Sequence, residues 1–378
     1  MTHRKIMFLL PLVFTFSGCT AEPEESAVSP VNDAEIEDTK ISADEFATAY
    51  SDERILDEDE MQLKTLMMEA LSKVEGTSAA AVMEVGTNRP ILMGHKGPLP
   101  QQSVSKIWVA LAVAEKISRG QGNYTDSITI SQADRALFHQ PLARYVENGP
   151  ISVNIAQLMN MSLTQSDNMA NAILTDYAGG PESVRRWLNK FSPSIRFGPG
   201  DKQMQAGISG LTWNPVYADR LSFEQARGMV SPSVRAERYA QYVKNPIDGA
   251  DVESLVKALA SLRLGEFPGS REVLSFMSRT NTGSARLKAG TPSDWILLHK
   301  TGTGQTWNGR TAGFNDIGIM ESPNGTSYAV AVMIGDSSSP DQVKQKAIAD
   351  IARAIVAYDQ RRAAKSQIAS VDTNSLPE

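Results

Sequence analysis

The stretch Gln101-Gln102-Ser103-Val104-Ser105-Lys106-Ile107-Trp108-Val109-Ala110-Leu111-Ala112-Val113 decides how the rest of the chain is read. Residues 105–117 are apolar almost all round, with no polar stripe for a solvent face. A helix of that kind lies at the centre of a domain. Its start carries Ser103 and Lys106, three residues apart and therefore on one face. A serine hydroxyl is a weak nucleophile until a base takes its proton. A lysine can be that base only where burial or a nearby cation lowers its pKa, and a buried helix meets the first condition. The N-terminal end of such a helix also points N–H groups at a developing oxyanion.

On the N-terminal side, residues 61–74 repeat Met61, Leu63, Leu66, Met67, Leu71 and Val74 at helical spacing before Gly76. Two short apolar runs, 79–85 and 89–94, are split by Gly86-Thr87-Asn88, a hairpin signal. On the C-terminal side the patterns are helical to about Val243, and Gly179-Gly180-Pro181 ends one helix and opens the next. Residues 192–232 are rich in Pro and Gly, weakly periodic, and read as a long surface loop, a type that is usually functional. Strand patterns return at 295–298, leading into Lys300, and at 313–321 and 327–334, which flank Asn324-Gly325. Residues 341–358 read as a closing amphipathic helix. Strands at both ends of the body with helices between predict an α+β fold: an antiparallel sheet flanked by helices, three layers in all, with a helical subdomain at about 101–250 inserted.

The chain has 378 residues, is 41% hydrophobic and carries one cysteine. That is enough apolar material for a core and excludes a disulfide framework or a multi-cysteine metal centre. Arg4 and Lys5 precede an apolar run at 6–16 that ends in Phe16-Ser17-Gly18-Cys19. The run is too short to span a bilayer and suits a secretory signal. Small residues directly before Cys19 resemble a bacterial lipoprotein cleavage box, which implies lipidation of Cys19; the alternative is a plain signal peptide. Residues 20–60 hold fifteen Asp or Glu against two Lys or Arg. They read as a solvated, self-repelling tether, with an acidic helix near 42–50 as the rival. The net charge of −6 therefore hides a body of +5 from Met61 onward, and neither value suggests a nucleic-acid binder. The expected organisation is a signal at 1–18, a tether at 19–60, a catalytic body at 61–365 and a tail at 366–378. The expected location is the periplasm, on the outer membrane, because Thr20 is no obvious inner-membrane retention signal.

Two further motifs follow the Ser103-x-x-Lys106 pair: Ser166-Asp167-Asn168 and Lys300-Thr301-Gly302-Thr303-Gly304, the latter on an expected strand. The first motif alone arises by chance about once in a chain of this composition, and each of the others on the order of 0.1 times. Together and in this order they resemble the signature of class A β-lactamases and penicillin-binding proteins. The segments 101–106, 280–288 and 311–334, with Phe314-Asn315-Asp316-Ile317-Gly318-Ile319, are similar to the extended-spectrum class A subgroup. This resemblance covers about residues 60–360. It implies hydrolysis of a β-lactam through an acyl-enzyme on Ser103, activated by Lys106. Ser166 would relay a proton to the leaving nitrogen. Asn168 would bind the acyl amide, Lys300 would stabilise charge and depress Lys106, and Thr301 would hold the substrate carboxylate. The N–H groups of Ser103 and Thr303 would form the oxyanion hole. Arg310 could lie near the same carboxylate or stand solvated at a strand end. No cofactor or metal is implied, and a monomer acting on a small molecule is expected.

One family feature is missing. Class A enzymes deacylate with a loop glutamate followed at third and fourth place by Leu-Asn, and no Glu-x-x-Leu-Asn occurs. Asp201, in Gly200-Asp201-Lys202-Gln203-Met204, is the best match; Asp219 and Glu224 are rivals, and the absence of a competent base is a fourth possibility. Without a base the site would stay acylated, as in a penicillin-binding DD-peptidase or slow esterase acting on peptidoglycan stem peptides, or in a covalent β-lactam sensor. The histidines His95, His139 and His299 show no metal-ligand spacing. Phe138 and His139 read either as a cleft wall or as a surface loop.

Overall fold

The computed structural model describes residues 55–374, with side chains as far as 367. The expected signal, Cys19 and most of the acidic stretch lie outside the described residues. The chain begins with α1 (Glu58–Leu71), β1 (Thr77–Glu84), β2 (Ile91–Gly94) and β3 (Leu99–Pro100). A 3₁₀ turn at Gln102–Ser105 leads into α2 (Lys106–Ser118), followed by β4 (Ser127–Ile130), β5 (Ile151–Asn154), α3 (Ile155–Thr164), α4 (Asn168–Tyr177) and α5 (Pro181–Leu188). Next come α6 (Asp201–Ile208), α7 (Arg220–Met229), α8 (Pro232–Lys244), β6 (Gly249–Ala250), α9 (Val252–Leu264), α10 (Ser270–Met277) and α11 (Leu287–Gly290). The C-terminal part holds β7 (Ile296–Thr303), β8 (Thr306–Trp307), β9 (Arg310–Ala312), β10 (Phe314–Glu321), β11 (Ser327–Ser337) and α12 (Asp341–Asn374).

The main sheet runs β2-β1-β11-β10-β7, antiparallel throughout, so both ends of the body build it as the sequence predicts. Its strands are buried on both faces, and the two-residue side-chain period sorts them. Ala79, Ala81, Ile317 and Ala331 join one core with α2 and the other helices of the central segment. Ala80, Val82, Val330 and Val332 join a second core with Leu63, Met67, Ile348 and Ile351 of α1 and α12. These are the three layers of an α+β fold. The α2 helix is buried continuously from Lys106 to Ala114, which explains its lack of a polar face. None of the described helices is long and apolar enough to cross a membrane.

Three boundaries differ from the sequence reading. Asp57 and Glu60 form a capping box, so α1 takes in residues assigned to the acidic tether. The α12 helix continues to Asn374, through much of the expected tail. The segment 192–232 is not one long loop but contains α6, a 3₁₀ turn at Pro215–Ala218 and α7. The α7 helix starts because Asp219 accepts the Ser222 N–H, and it buries only Phe223, too little to leave a periodic signal.

Candidate active site

The turn before α2 is held from behind. Gln101 accepts from Trp108 Nε1 at 2.6 Å and donates to the Asp248 carbonyl at 2.6 Å. The N–H of Gln102 donates to Asp248 Oδ2 at 2.7 Å. Gln102 itself has φ 54, a left-handed conformation that costs a non-glycine residue about 1 kcal/mol or more. Its buried side chain compensates by donating to Tyr242 Oη at 2.6 Å and accepting from Gln205 at 2.8 Å. Burial raises the Asp248 carboxyl to about 6. This network fixes the residue immediately before Ser103.

Lys106 Nζ donates to Ser103 Oγ at 2.8 Å and to Asn168 Oδ1 at 2.6 Å. Burial lowers the Lys106 pKa, while the carboxylates of Asp201 and Asp167 oppose the shift. Lys300 Nζ donates to Ser166 Oγ at 2.9 Å and to the Thr301 carbonyl at 2.9 Å. Burial pushes Lys300 well down, and the charge of Lys106 pushes it further. Repulsion between the two buried ammonium groups is mutual, so it adds to burial in holding this pair low. Ser166 sits at φ 60 in the tight link between α3 and α4. Its neighbour Asp167 supports the local backbone, capping α4 through the Ala170 N–H and accepting from the Leu142 N–H. Asn168 donates to the Leu137 carbonyl at 2.8 Å, which fixes its amide.

The glycine of Lys300-Thr301-Gly302 is required by close approach. A Cβ there would lie 2.4 Å from the Gln101 carbonyl oxygen, so only glycine lets β7 press against the turn that carries Ser103. The result is a cleft of about 550 Å³ whose lining includes Ser103, Ser166, Asn168, Asp201, Thr301 and Thr303. Phe138 and His139 line it as well, which resolves their role in favour of a cleft wall.

The carboxylate candidates separate. Asp201, the first residue of α6, lines the cleft, and its Oδ2 is buried without a protein partner among the described residues. Burial raises its pKa, opposed by the charge of Lys106 and a hydrogen bond from Gln205. Asp219 is exposed and spent on capping α7. Glu224 lines the cleft but is paired with Arg227.

Arg310 stands elsewhere than expected. It forms a two-point ion pair with Asp336, which also accepts from Tyr239 Oη, and it does not line the cleft. The guanidinium beside the strand belongs to Arg286, which the motifs did not reveal. Arg286 donates to the Gly302 and Asn315 carbonyls and to Thr303 Oγ1 at 2.6 Å, and it stacks 3.7 Å over Phe314. Thr282 joins it, with its hydroxyl 2.7 Å from that of Thr301. Both residues fall within the segment 280–288, whose similarity to the extended-spectrum subgroup was the one sequence signal for them.

A family model described as the β-lactamase enzyme family matches residues 60–359. The chain belongs to this family. Its assignment as a serine hydrolase of the class A β-lactamase type, made from three short motifs, stands on that match. The chain is similar to β-lactamase VEB-1 of Pseudomonas aeruginosa, 27% identical over 76% of this chain and 88% of the relative. It is likewise similar to extended-spectrum β-lactamase PER-1 of Pseudomonas aeruginosa, 25% identical over 76% of this chain and 84% of the relative. Among solved structures, the TLA-3 extended-spectrum β-lactamase superposes with a TM-score of 0.65 at 25% identity, covering 79% of this chain and 98% of that one.

Proposed function

We propose that this protein inactivates β-lactams by forming and then hydrolysing an acyl-enzyme on Ser103. The observation that carries the reading is the 2.8 Å contact between Lys106 Nζ and Ser103 Oγ, with the lysine pKa lowered by burial. A neutral Lys106 takes the hydroxyl proton as Oγ attacks the lactam carbonyl carbon. The oxyanion is received by the N–H groups of Ser103 and Thr303. The C–N bond breaks, and the proton taken by Lys106 passes to the ring nitrogen through Ser166, to which Lys300 donates. Asn168 holds the acyl amide, and Thr301, Thr303 and Arg286 hold the ring carboxylate. Asp201 then accepts a proton from a water that attacks the ester carbonyl; as Ser103 leaves, that proton returns to its Oγ by way of Lys106, which leaves Asp201 ionised and Lys106 neutral again.

The test is intact mass of the protein over time after mixing with a penicillin. An adduct that appears and then disappears supports this reading. A permanent adduct favours a penicillin-binding or esterase-like enzyme with slow deacylation, and no adduct on wild type would remove Ser103 as nucleophile. We place the enzyme in the periplasm, held to the outer membrane by lipid on Cys19. The support is the apolar run followed by Ser17-Gly18-Cys19. Cys19→Ser should move the protein from the membrane to the soluble fraction; unchanged fractionation would exclude the anchor.

A further inference from the structure

The cleft has a charge that the proposed reaction does not use. Of its ionisable lining residues, Asp201 faces Lys106, Glu224 is neutralised by Arg227, and the His139 ring is bonded to the Gln165 carbonyl. Arg286 is committed to the β7 side through Thr303. Arg220 remains: it lines the cleft, it is exposed, and no carboxylate pairs with it among the described residues.

Its place in α7 makes its presence costly. Arg220 is the first residue of the helix, directly after the Asp219 cap, and the first turn holds no acidic residue. A cation there opposes the helix dipole, which favours cations at the other end. The helix dipole therefore gives no reason for an arginine at this position.

The surroundings say which end of a substrate it would meet. The α7 helix is anchored on Phe138, whose ring lies 5.3 Å edge-on to Phe223. The same short segment fixes Asn168: the His139 carbonyl accepts the Asn168 N–H, and the Leu137 carbonyl accepts its amide. Arg220 thus belongs to the wall that carries Asn168, while Arg286 belongs to the strand that carries Thr301 and Thr303. The two guanidiniums serve different ends of one ligand.

We propose that Arg220 selects β-lactams whose acyl side chain bears a second anionic group, a carboxylate or sulfonate, in addition to the ring carboxylate. This rests on the β-lactamase reading above, because it takes Asn168 as the acyl-amide site. The contact is solvent-exposed, so the preference should be modest and should shrink as salt rises.

The experiment compares kcat/KM for carbenicillin, with a side-chain carboxylate, and for benzylpenicillin, the counterpart whose side chain is uncharged. The ratio of the two should fall by roughly three- to tenfold in Arg220→Ala, fall further in Arg220→Glu, and be largely kept in Arg220→Lys. Raising the ionic strength should lower the wild-type ratio toward that of Arg220→Ala. A ratio that stays the same in both Arg220→Ala and Arg220→Glu would overturn the assignment while leaving the β-lactamase reading intact. If the protein acylates without turning over, acylation rate constants give the same ratio and the same decision. If neither penicillin acylates wild type, the reading of the site falls, and this inference with it.

Discussion

Two walls of one cleft are built in opposite ways. The wall with Ser103, Lys106 and Lys300 stands on a helix buried continuously from Lys106 to Ala114 and on a strand paired along its length to β10. The wall with Asp201 and Arg220 stands on α6 and α7, of eight and ten residues, and α7 buries one side chain. The first pair of elements can hold attacking atoms in fixed geometry because close packing leaves them no alternative position. The second is held by two small apolar clusters, around Met204 and Ile208 and around Ala206 and Phe223, and by polar contacts from Gln205 to Gln102 and Gln305 to Gln205. In the proposed reaction, acylation thus rests on the core and deacylation on its edge. Variation at the edge can change the fate of the acyl-enzyme without disturbing its formation.

The largest effect expected is on the core wall. Lys106→Ala should slow acylation by roughly 10²- to 10⁴-fold, read as the rate of adduct formation by mass. Because burial lowers the Lys106 pKa, its neutral form extends below the usual lysine range, and acylation should weaken as pH falls through that lowered value. Acylation at the wild-type rate in Lys106→Ala would end the distinction between the two walls, since the core would then carry no base.

The next effect tests the edge alone. Asp201→Asn should leave adduct formation recognisable and slow its loss by roughly 10²- to 10³-fold, so that acyl-enzyme accumulates. In wild type the ionised carboxylate is the active form, and burial raises its pKa. Deacylation should therefore decline on acidification at a pH above the ordinary carboxylate range, and Asp201→Asn should lose that acid limb. A variant that turns over normally would shift the base elsewhere and make Glu224 the carboxylate to examine, despite its pairing with Arg227.

The same contrast explains what the sequence made legible. The buried helix, the hairpin at Asn324-Gly325 and the strand before Lys300 are long or strongly patterned, because burial on both faces dictates their residues. Ser103, Lys106, Ser166 and Lys300 could be singled out because tight geometry fixes their spacing within short motifs. The helices α6 and α7 are short, α6 starting at Gly200 without a side-chain cap and α7 on the Asp219 cap alone, with little apolar period to detect, so the segment reads as a loop. Arg286 escaped for a different reason. It reaches the β7 strand from a segment distant in sequence, with Gly302 sixteen residues on, and no local pattern announces such a contact. Arg310, by contrast, lies ten residues past Lys300 and looks near the motif. The turn between β8 and β9 carries it to Asp336 instead.

That exchange of arginines yields the smallest and sharpest prediction. Both residues are guanidiniums near the end of one strand pair, so composition and net charge cannot distinguish them. Their partners can. Arg286 is buried, and its hydrogen bonds end on Thr303 Oγ1 and on the carbonyls flanking the cleft, so its charge faces the place assigned to the ring carboxylate. Its loss removes a charge-assisted contact, which is expected to lower kcat/KM about ten- to a hundredfold, mostly through KM. Because buried Arg286 also ties β7 to β10, Arg286→Lys is the control: it keeps a charge but loses the two-carbonyl fork. Arg310 is part-exposed and already neutralised by Asp336. Arg310→Ala should cost about 1 kcal/mol of stability or less and change KM less than about twofold. A large KM effect at Arg310 with a small one at Arg286 would mean that the carboxylate binds at the β8–β9 turn. The strand wall would then extend past Thr303, and the boundary between the rigid core and its edge would have to be moved to include that turn.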